Sequence, residues 1–111
     1  MHKILSLQIN QDSDLVQGNA LEILAILNES YPTTITISIE DPTDVLVVNA
    51  ASMTRLTDKV YRYIYQSDEN GTEGTYTVTA RSTKGGYTSI RQTSFDLRDI
   101  DEDFGLEEFP A

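Results

Sequence analysis

The feature that most constrains the fold is a long stretch of alternating residues between positions 59 and 97. The segment 60–65 (VYRYIY) has a tyrosine at every second position, and the segment 75–80 (TYTVTA) alternates threonines with apolar residues. A period of two is typical of a β-strand with one buried face. A third alternating segment, 87–97, follows two glycines that tolerate the positive φ of a tight turn. The sequence therefore predicts a meander of three antiparallel strands.

The rest of the chain continues this β pattern. Strands are predicted at residues 3–9, 20–27, 33–39 and 45–48. The segment 20–27 also fits one face of a helix, but it is short and lacks a helix-capping pattern, which favours the strand. Seven to eight short strands without a helix predict an all-β sandwich with Greek-key connections.

Two connections between these strands are also predicted. Residues 11–19 form a polar connection, and residues 49–58 form a looser one. Met53 and Leu56 are the apolar residues of the second connection, and we expect both to be buried anchors.

Composition excludes several classes of function. A chain of 111 residues fits one domain. The absence of Cys excludes thiol catalysis and zinc–thiolate sites. A net charge of −10 repels phosphate backbones, and the eight Lys and Arg residues are scattered along the sequence, so no nucleic-acid partner is predicted. No apolar run approaches the roughly 18 to 20 residues of a membrane helix, and polar residues interrupt the apolar start too early for an export signal.

The segment 73–78 (EGTYTV) resembles the tyrosine corner of immunoglobulin-like (Ig-like) domains, in which a tyrosine at the start of a strand bonds back to upstream backbone. The order of motifs over about residues 5–97 resembles the Ig-like repeats of prokaryotic surface proteins and of tailed-phage virion proteins. These motifs are Gly18…Leu21, Asp41-Pro42, Met53, Tyr61-Arg62-Tyr63, Gly74-Thr75-Tyr76 and Phe95-x-Leu97. The two Cys and the Trp of antibody domains are absent. The resemblance implies an Ig-like Greek-key β-sandwich.

Catalytic and metal-binding patterns are weak. The single histidine, His2, stands at the N-terminus, and carboxylate pairs such as Glu40-Asp41 fall in predicted loops where solvation explains them. The segment 99–105 resembles the start of a calcium loop, but Phe104 occupies the position that requires glycine. We expect no enzymatic activity, no cofactor and no obligatory metal.

Apolar residues outside the predicted core are candidates for contact with a partner. The tyrosines of segment 60–65 fit a sandwich interior better than a ligand-stacking platform. If Leu21 and Ile23 face the core, Leu24 and Ile26 face outward on the same strand. This pair is interpreted either as a contact site or as ordinary apolar scatter on a surface.

The C-terminal residues 98–111 are predicted to form an arm beyond a domain of residues 1–97. Acidic residues of the arm are interleaved with Ile100, Phe104, Leu106 and Phe109. This composition is typical of a segment that orders only on contact. We expect the arm to dock on another subunit, either on a sheet edge or in a basic groove. The alternative is an arm folded back on its own domain.

Two functions are compatible with these features. The first is a non-enzymatic structural protein of a tailed-phage virion, such as a capsid decoration or head–tail component, in contact with other virion subunits. The second is an Ig-like binding module of a longer secreted adhesin or surface-layer protein, located at the cell surface. The fold itself hosts many functions, so gene context is needed to separate the two hypotheses.

Overall fold

Nine β-strands form two facing sheets in the computed structural model, which describes residues 3–9, 14–28 and 34–99. The strands are β1 (Ile4–Ile9), β2 (Asp14–Val16), β3 (Ala20–Leu27), β4 (Thr34–Glu40), β5 (Leu46–Ser52), β6 (Thr54–Thr57), β7 (Val60–Gln66), β8 (Gly74–Lys84) and β9 (Tyr87–Arg98).

The strand order identifies the topology. The four-stranded sheet has the order β1-β3-β7-β6, and the five-stranded sheet has the order β2-β9-β8-β4-β5. Neighbouring strands are antiparallel except for β2, which runs parallel to β9. The first order matches the A-B-E-D sheet of an Ig domain, and β9-β8-β4 matches its G-F-C strands. The chain is therefore an all-β, Ig-like Greek-key sandwich, as the sequence predicts.

The core lies between the two sheets and follows the alternation of the sequence. Inward residues of β3, β4, β8 and β9 are buried, whereas their neighbours are partly or fully exposed. Tyr61 and Tyr65 are buried on β7, and Tyr63 is partly buried and packs against the core cluster. The rings of Tyr76 and Phe95 stack with centroids 5.1 Å apart. The tyrosine row of β7 thus belongs to the interior, as predicted.

The predicted three-stranded meander is wrong in one part. The hairpin of β8 and β9 is present, with Tyr76 opposite Phe95, but β7 lies in the other sheet. The chain crosses between the sheets at residues 67–73, where the Ser67 amide donates to the carbonyl of Asn19. A loop of this length can connect two neighbouring strands of one sheet or cross from one sheet to the other. The flanking strands alternate in the same way in both cases, so the sequence pattern does not distinguish them.

Two predicted connections contain strands. β2 lies within the polar segment 11–19, where Leu15 is buried opposite Leu97. β6 lies within the segment 49–58, and β5 extends through its first residues. Met53 is buried as expected, but Leu56 is 45% exposed. Leu56 stands at a register shift of β6, an edge strand whose four residues are all exposed, so it has no core to enter.

Candidate interaction surfaces

The described ranges contain no arrangement typical of a metal centre. Within residues 3–9, 14–28 and 34–99, no three His, Cys, Asp or Glu side chains are grouped so that they could hold a metal ion. The same part of the chain has no helix that is long and apolar enough to cross a membrane.

Asp41 organises the loop that leads from β4 into β5. Its Oδ1 atom accepts hydrogen bonds from the Thr43 hydroxyl at 2.7 Å and from the amides of Thr43 and Val45 at 2.8 and 3.0 Å. These bonds, the Thr43 hydroxyl first, lower the pKa of the Asp41 carboxyl. Pro42 in the same loop lies against Gly74, where an added Cβ would approach its Cγ to 2.8 Å. The loop is thereby fixed at the point where β5 begins.

The tyrosine corner lies at this same end of the sandwich. The Tyr76 hydroxyl donates to the carbonyl oxygen of Thr72 at 2.7 Å, which confirms the motif that segment 73–78 resembles. Burial raises the pKa of Tyr76 to about 12, and Tyr65, Asp41 and Asp68 add a smaller electrostatic contribution in the same direction. Burial also raises the pKa of Tyr65. The corner supports the fold and offers no reactive group.

The free edge of the five-stranded sheet is unusually apolar. Val45, Leu46 and Val47, here called the apolar edge, are 55%, 47% and 43% exposed. The sequence from 45 to 54 contains no charged residue. Edge strands are ordinarily short or charged, because their unpaired N–H and C=O groups attract other strands. The edge strands β2 and β6 follow this rule, with three and four residues. The edge strand β1 does not, since its six residues carry no charge and Leu5 is exposed, but it lacks a run of three exposed apolar residues.

A β-bulge limits the regular part of this edge. Ala50 has a φ of 52°, and the pairing of β5 with β4 shifts between Ile37 and Ile39. The Ala50 amide donates to the Ser38 hydroxyl at 2.9 Å, so the bulge satisfies its own donor. The pairing shifts a second time between Ile39 and Glu40, whose partners are Val48 and Leu46. The stretch available for regular pairing on the free side of β5 is therefore short.

Sequence reasoning missed the apolar edge. A run such as Leu46-Val47-Val48 has the composition of a buried strand, and Val48 does pack against the core. The position of the strand at the end of its sheet is what exposes its neighbours. One signal was present in the sequence, namely the absence of charge over ten residues in a strongly acidic chain.

Leu24 and Ile26 lie on the outer face of the four-stranded sheet, opposite to the core. The register places Leu24 beside Arg62 and Ile26 beside Val60. Both side chains are partly buried. Ile64, two residues beyond Arg62 on the same face, is 47% exposed. The structure thus places the two predicted residues in an apolar strip, which an ion pair between Arg62 and Glu22 crosses at 3.5 Å.

The other predicted contact residues, Ile100, Phe104, Leu106 and Phe109, lie outside the described residues. β9 extends through Arg98, which the sequence analysis assigned to the arm. Arg98 contacts Asp14 of β2 at 3.3 Å. The predicted docking of the arm stays a prediction.

The fold and its surfaces define an Ig-like β-sandwich domain. No protein-family model matches the chain, and no curated protein is significantly similar to it in sequence. Its structure is similar to a DUF4785 family protein from Legionella pneumophila, with a TM-score of 0.65 and 14% identity over 85% of this chain and 28% of that chain.

Two further solved structures are similar. An engineered protein has a TM-score of 0.57 and 14% identity, over 86% of this chain and 20% of that chain. The endo-β-1,4-mannanase from Thermotoga petrophila has a TM-score of 0.51 and 13% identity, over 86% of this chain and 19% of that chain. This chain spans between a fifth and about a quarter of the length of these proteins. At such identities the likeness shows the fold alone.

Proposed function

We propose that this chain is a non-enzymatic structural protein that acts through protein–protein contacts, with β5 as the acceptor of an extended segment from a partner subunit. The observation that carries this proposal is the apolar edge of Val45, Leu46 and Val47, exposed at the start of β5, which pairs with β4 alone among the described strands. An added strand satisfies the free backbone groups of β5 and covers these side chains at the same time.

The apolar and uncharged side chains of the edge determine which kind of partner segment can bind there. Burying the exposed half of each of the three side chains contributes about 1 kcal/mol apiece. A charged side chain placed against them would lose its hydration without gaining a counter-charge, because residues 45–54 carry none. The partner segment is therefore extended, uncharged and apolar. The bulge at Ala50 keeps the paired region to a few residues, so further contacts outside the edge are needed for tight binding.

The assembly we propose is the virion of a tailed phage, in which the chain contacts other virion subunits as a capsid decoration or head–tail component. The support is the combination of an Ig-like sandwich, an acceptor edge and a sequence that resembles Ig-like virion repeats. A second candidate is a binding module of a longer surface adhesin. It is favoured by one observation, that similar sandwiches occur as 19–28% of longer chains.

The experiment is co-expression of the chain with the products of the genes that flank its own. We expect a capsid, portal or tail subunit to bind, and the exchange Val47→Lys to weaken that binding at least about tenfold because it charges the edge. The matched control is Ile90→Lys on β9, since Ile90 is 50% exposed but lies on a paired strand. Equal binding by both variants would contradict the role of the edge. A reading frame that continues into tandem copies of this domain would favour the adhesin.

A further inference from the structure

Most charged residues of the described part of the chain lie near one of its two ends. The exceptions are Glu22 and Arg62, which pair with each other on the outer face of the four-stranded sheet. The strand directions place the start of β1, the turn between β6 and β7 and the hairpin between β8 and β9 at one end. We call this the basic end, and its described charges are Lys3, Arg55, Lys59, Arg81, Lys84, Arg91 and one acid, Asp58. The opposite end is the acidic end, and its described charges are Asp14, Glu40, Asp41, Asp44, Asp68, Glu69, Glu73, Asp96, Asp99 and one base, Arg98.

Backbone and side-chain hydrogen bonds hold the basic end together. The Leu27 amide donates to the carbonyl of Lys59 at 2.8 Å, and the next amide, of Asn28, donates to the carbonyl of Lys3 at 3.1 Å. The Arg91 Nε atom donates to the carbonyl of Ile4 at 3.1 Å. Lys3, Lys59 and Arg91 are thus brought to one place from three distant parts of the sequence. The basic residues are scattered in the sequence, but the fold brings six of the eight to one end.

Three loops form the acidic end. The loop of Asp41 packs on the start of β8 through Pro42 and Gly74. The loop 67–73 is tied to the loop after β2 by the Gln17 side chain, which donates to the carbonyl of Gly71 at 2.6 Å. A Cβ at Gly18 would meet the Glu69 side chain at 3.3 Å, so these two loops are in contact. The carboxylates of the loops consequently share one surface.

We propose that copies of this chain associate end to end, with the basic end of one copy against the acidic end of the next. Charge complementarity selects this arrangement, because contact between two acidic ends or two basic ends places like charges together. The occupant of the basic end is therefore the acidic end of a second copy.

This contact is heterologous, since it joins two different surfaces. Repeated along one direction, it gives a row or a closed ring of copies. It leaves β5 free, so the proposal does not depend on strand addition at the apolar edge. Because the surfaces are exposed, the association weakens as salt screens the charges over a Debye length of roughly 10 Å at 0.1 M.

The test uses two charge-reversal variants of the whole chain. The first carries Lys3→Glu, Lys59→Glu and Lys84→Glu, which make both ends acidic. The second carries Glu40→Lys, Glu69→Lys and Glu73→Lys, which reduce the negative charge of the acidic end and add positive charge to it. Four of the six residues are exposed, and Lys84 and Glu40 are partly buried. A circular-dichroism spectrum establishes that each variant keeps the fold. Sedimentation velocity then measures association at about 20 mM and about 500 mM NaCl, conditions that differ strongly in screening.

We expect the unaltered chain to associate at low salt and to dissociate at high salt. The first variant alone should stay monomeric, because both its ends are acidic. The second should associate more weakly than the unaltered chain, because its acidic end keeps only a small excess of negative charge. An equal mixture should form more complex than either variant alone, because the unaltered basic end of the second meets the unaltered acidic end of the first. Val47→Lys should leave the association unchanged, which separates this proposal from the one for β5. A chain that stays monomeric at low salt, a mixture that does not associate, or association that survives salt and both reversals would overturn the proposal. Binding of a DNA fragment at the basic end without association of copies would also overturn it.

Discussion

The phenolic hydroxyl of Tyr76 donates a 2.7 Å hydrogen bond to the carbonyl oxygen of Thr72, four residues before it in the chain. The ring of Tyr76 is stacked on Phe95 in the core, so this bond ties the loop 67–73 to the interior of the sandwich. An added Cβ at Gly71, in the same loop, would come within 2.9 Å of Leu97. The loop that crosses between the sheets is therefore both bonded and closely packed.

The exchange Tyr76→Phe tests this bond. It removes the hydroxyl but keeps the ring, so we expect a loss of about 1 kcal/mol in the free energy of unfolding. Urea denaturation measures the loss. The matched control is Tyr87→Phe, because Tyr87 is 59% exposed at the β8–β9 hairpin. Equal effects of the two exchanges would show that the hydroxyl of Tyr76 contributes nothing specific.

The raised pKa of Tyr76 predicts a loss of stability in alkaline solution. In the unfolded chain the phenol ionises near pH 10, whereas burial raises its pKa in the folded protein to about 12. Between these values the unfolded chain releases a proton that the folded chain retains, so stability present below about pH 10 falls as the pH approaches about 12. Urea midpoints measured over this range should decline, and less steeply for Tyr76→Phe. Parallel curves for both proteins would contradict the assignment. Tyr65, whose pKa is also raised, should contribute to the decline that remains.

An exchange at Val78 tests whether the two sheets share one core. The Val78 side chain is fully buried on β8, and Val78→Ala removes two methyl groups from a packed site. We expect the free energy of unfolding to fall by roughly 2 to 3 kcal/mol, from lost burial plus the cavity. Val47→Ala removes the same atoms from the apolar edge and should cost less than about half a kcal/mol in the isolated protein. A small loss for Val78→Ala would contradict its place in the core.

Gly74 joins the loop of Asp41 to the start of β8. It has a φ of 130°, and an added Cβ would meet Pro42 Cγ at 2.8 Å. Gly85 also has a positive φ, of 59°, but nothing lies within 4 Å of an added Cβ. Gly85→Ala should cost about 1 kcal/mol from the backbone alone, and Gly74→Ala clearly more. Thermal unfolding of both variants checks the difference. An equal cost would show that contact with Pro42 adds nothing to the cost at Gly74.

Alternation along the chain was enough to predict the sandwich and most of its core. The residues Ile35, Ile37, Tyr76, Val78 and Phe95 are buried because each follows a period of two within a segment long enough to cross the core. Tyr63 was predicted to be buried with them but is only partly buried. The tyrosine corner could also be predicted from the sequence, because its glycine, threonine and tyrosine are adjacent.

The sheet to which each strand belongs was harder to predict from the sequence. Whether β7 pairs with β8 or lies across from it depends on contacts of the loop 67–73 with Asn19 and Gln17, which are about fifty residues away in the chain. β2 has three residues, too few to show a period.

The surfaces were the least predictable feature. The exposure of Val45 to Val47 follows from the place of β5 at the end of a sheet, and the separation of charges follows from which loops share an end. Both depend on topology rather than on local pattern. Leu24 and Ile26 were placed correctly because outward orientation needs only the phase of one strand.

Hydrogen exchange at β5 tests the proposed strand addition most directly. Amide exchange rates are measured in the free chain and in the chain bound to its partner subunit. We predict that amides within Leu46–Val48 slow by at least about tenfold on binding, because their free groups become bonded to the added strand. Amides of the outer face around Ile64 should keep their rates. If the amides of β5 exchange equally fast in both states while another surface becomes protected, the partner binds elsewhere and the proposed role of the apolar edge is wrong.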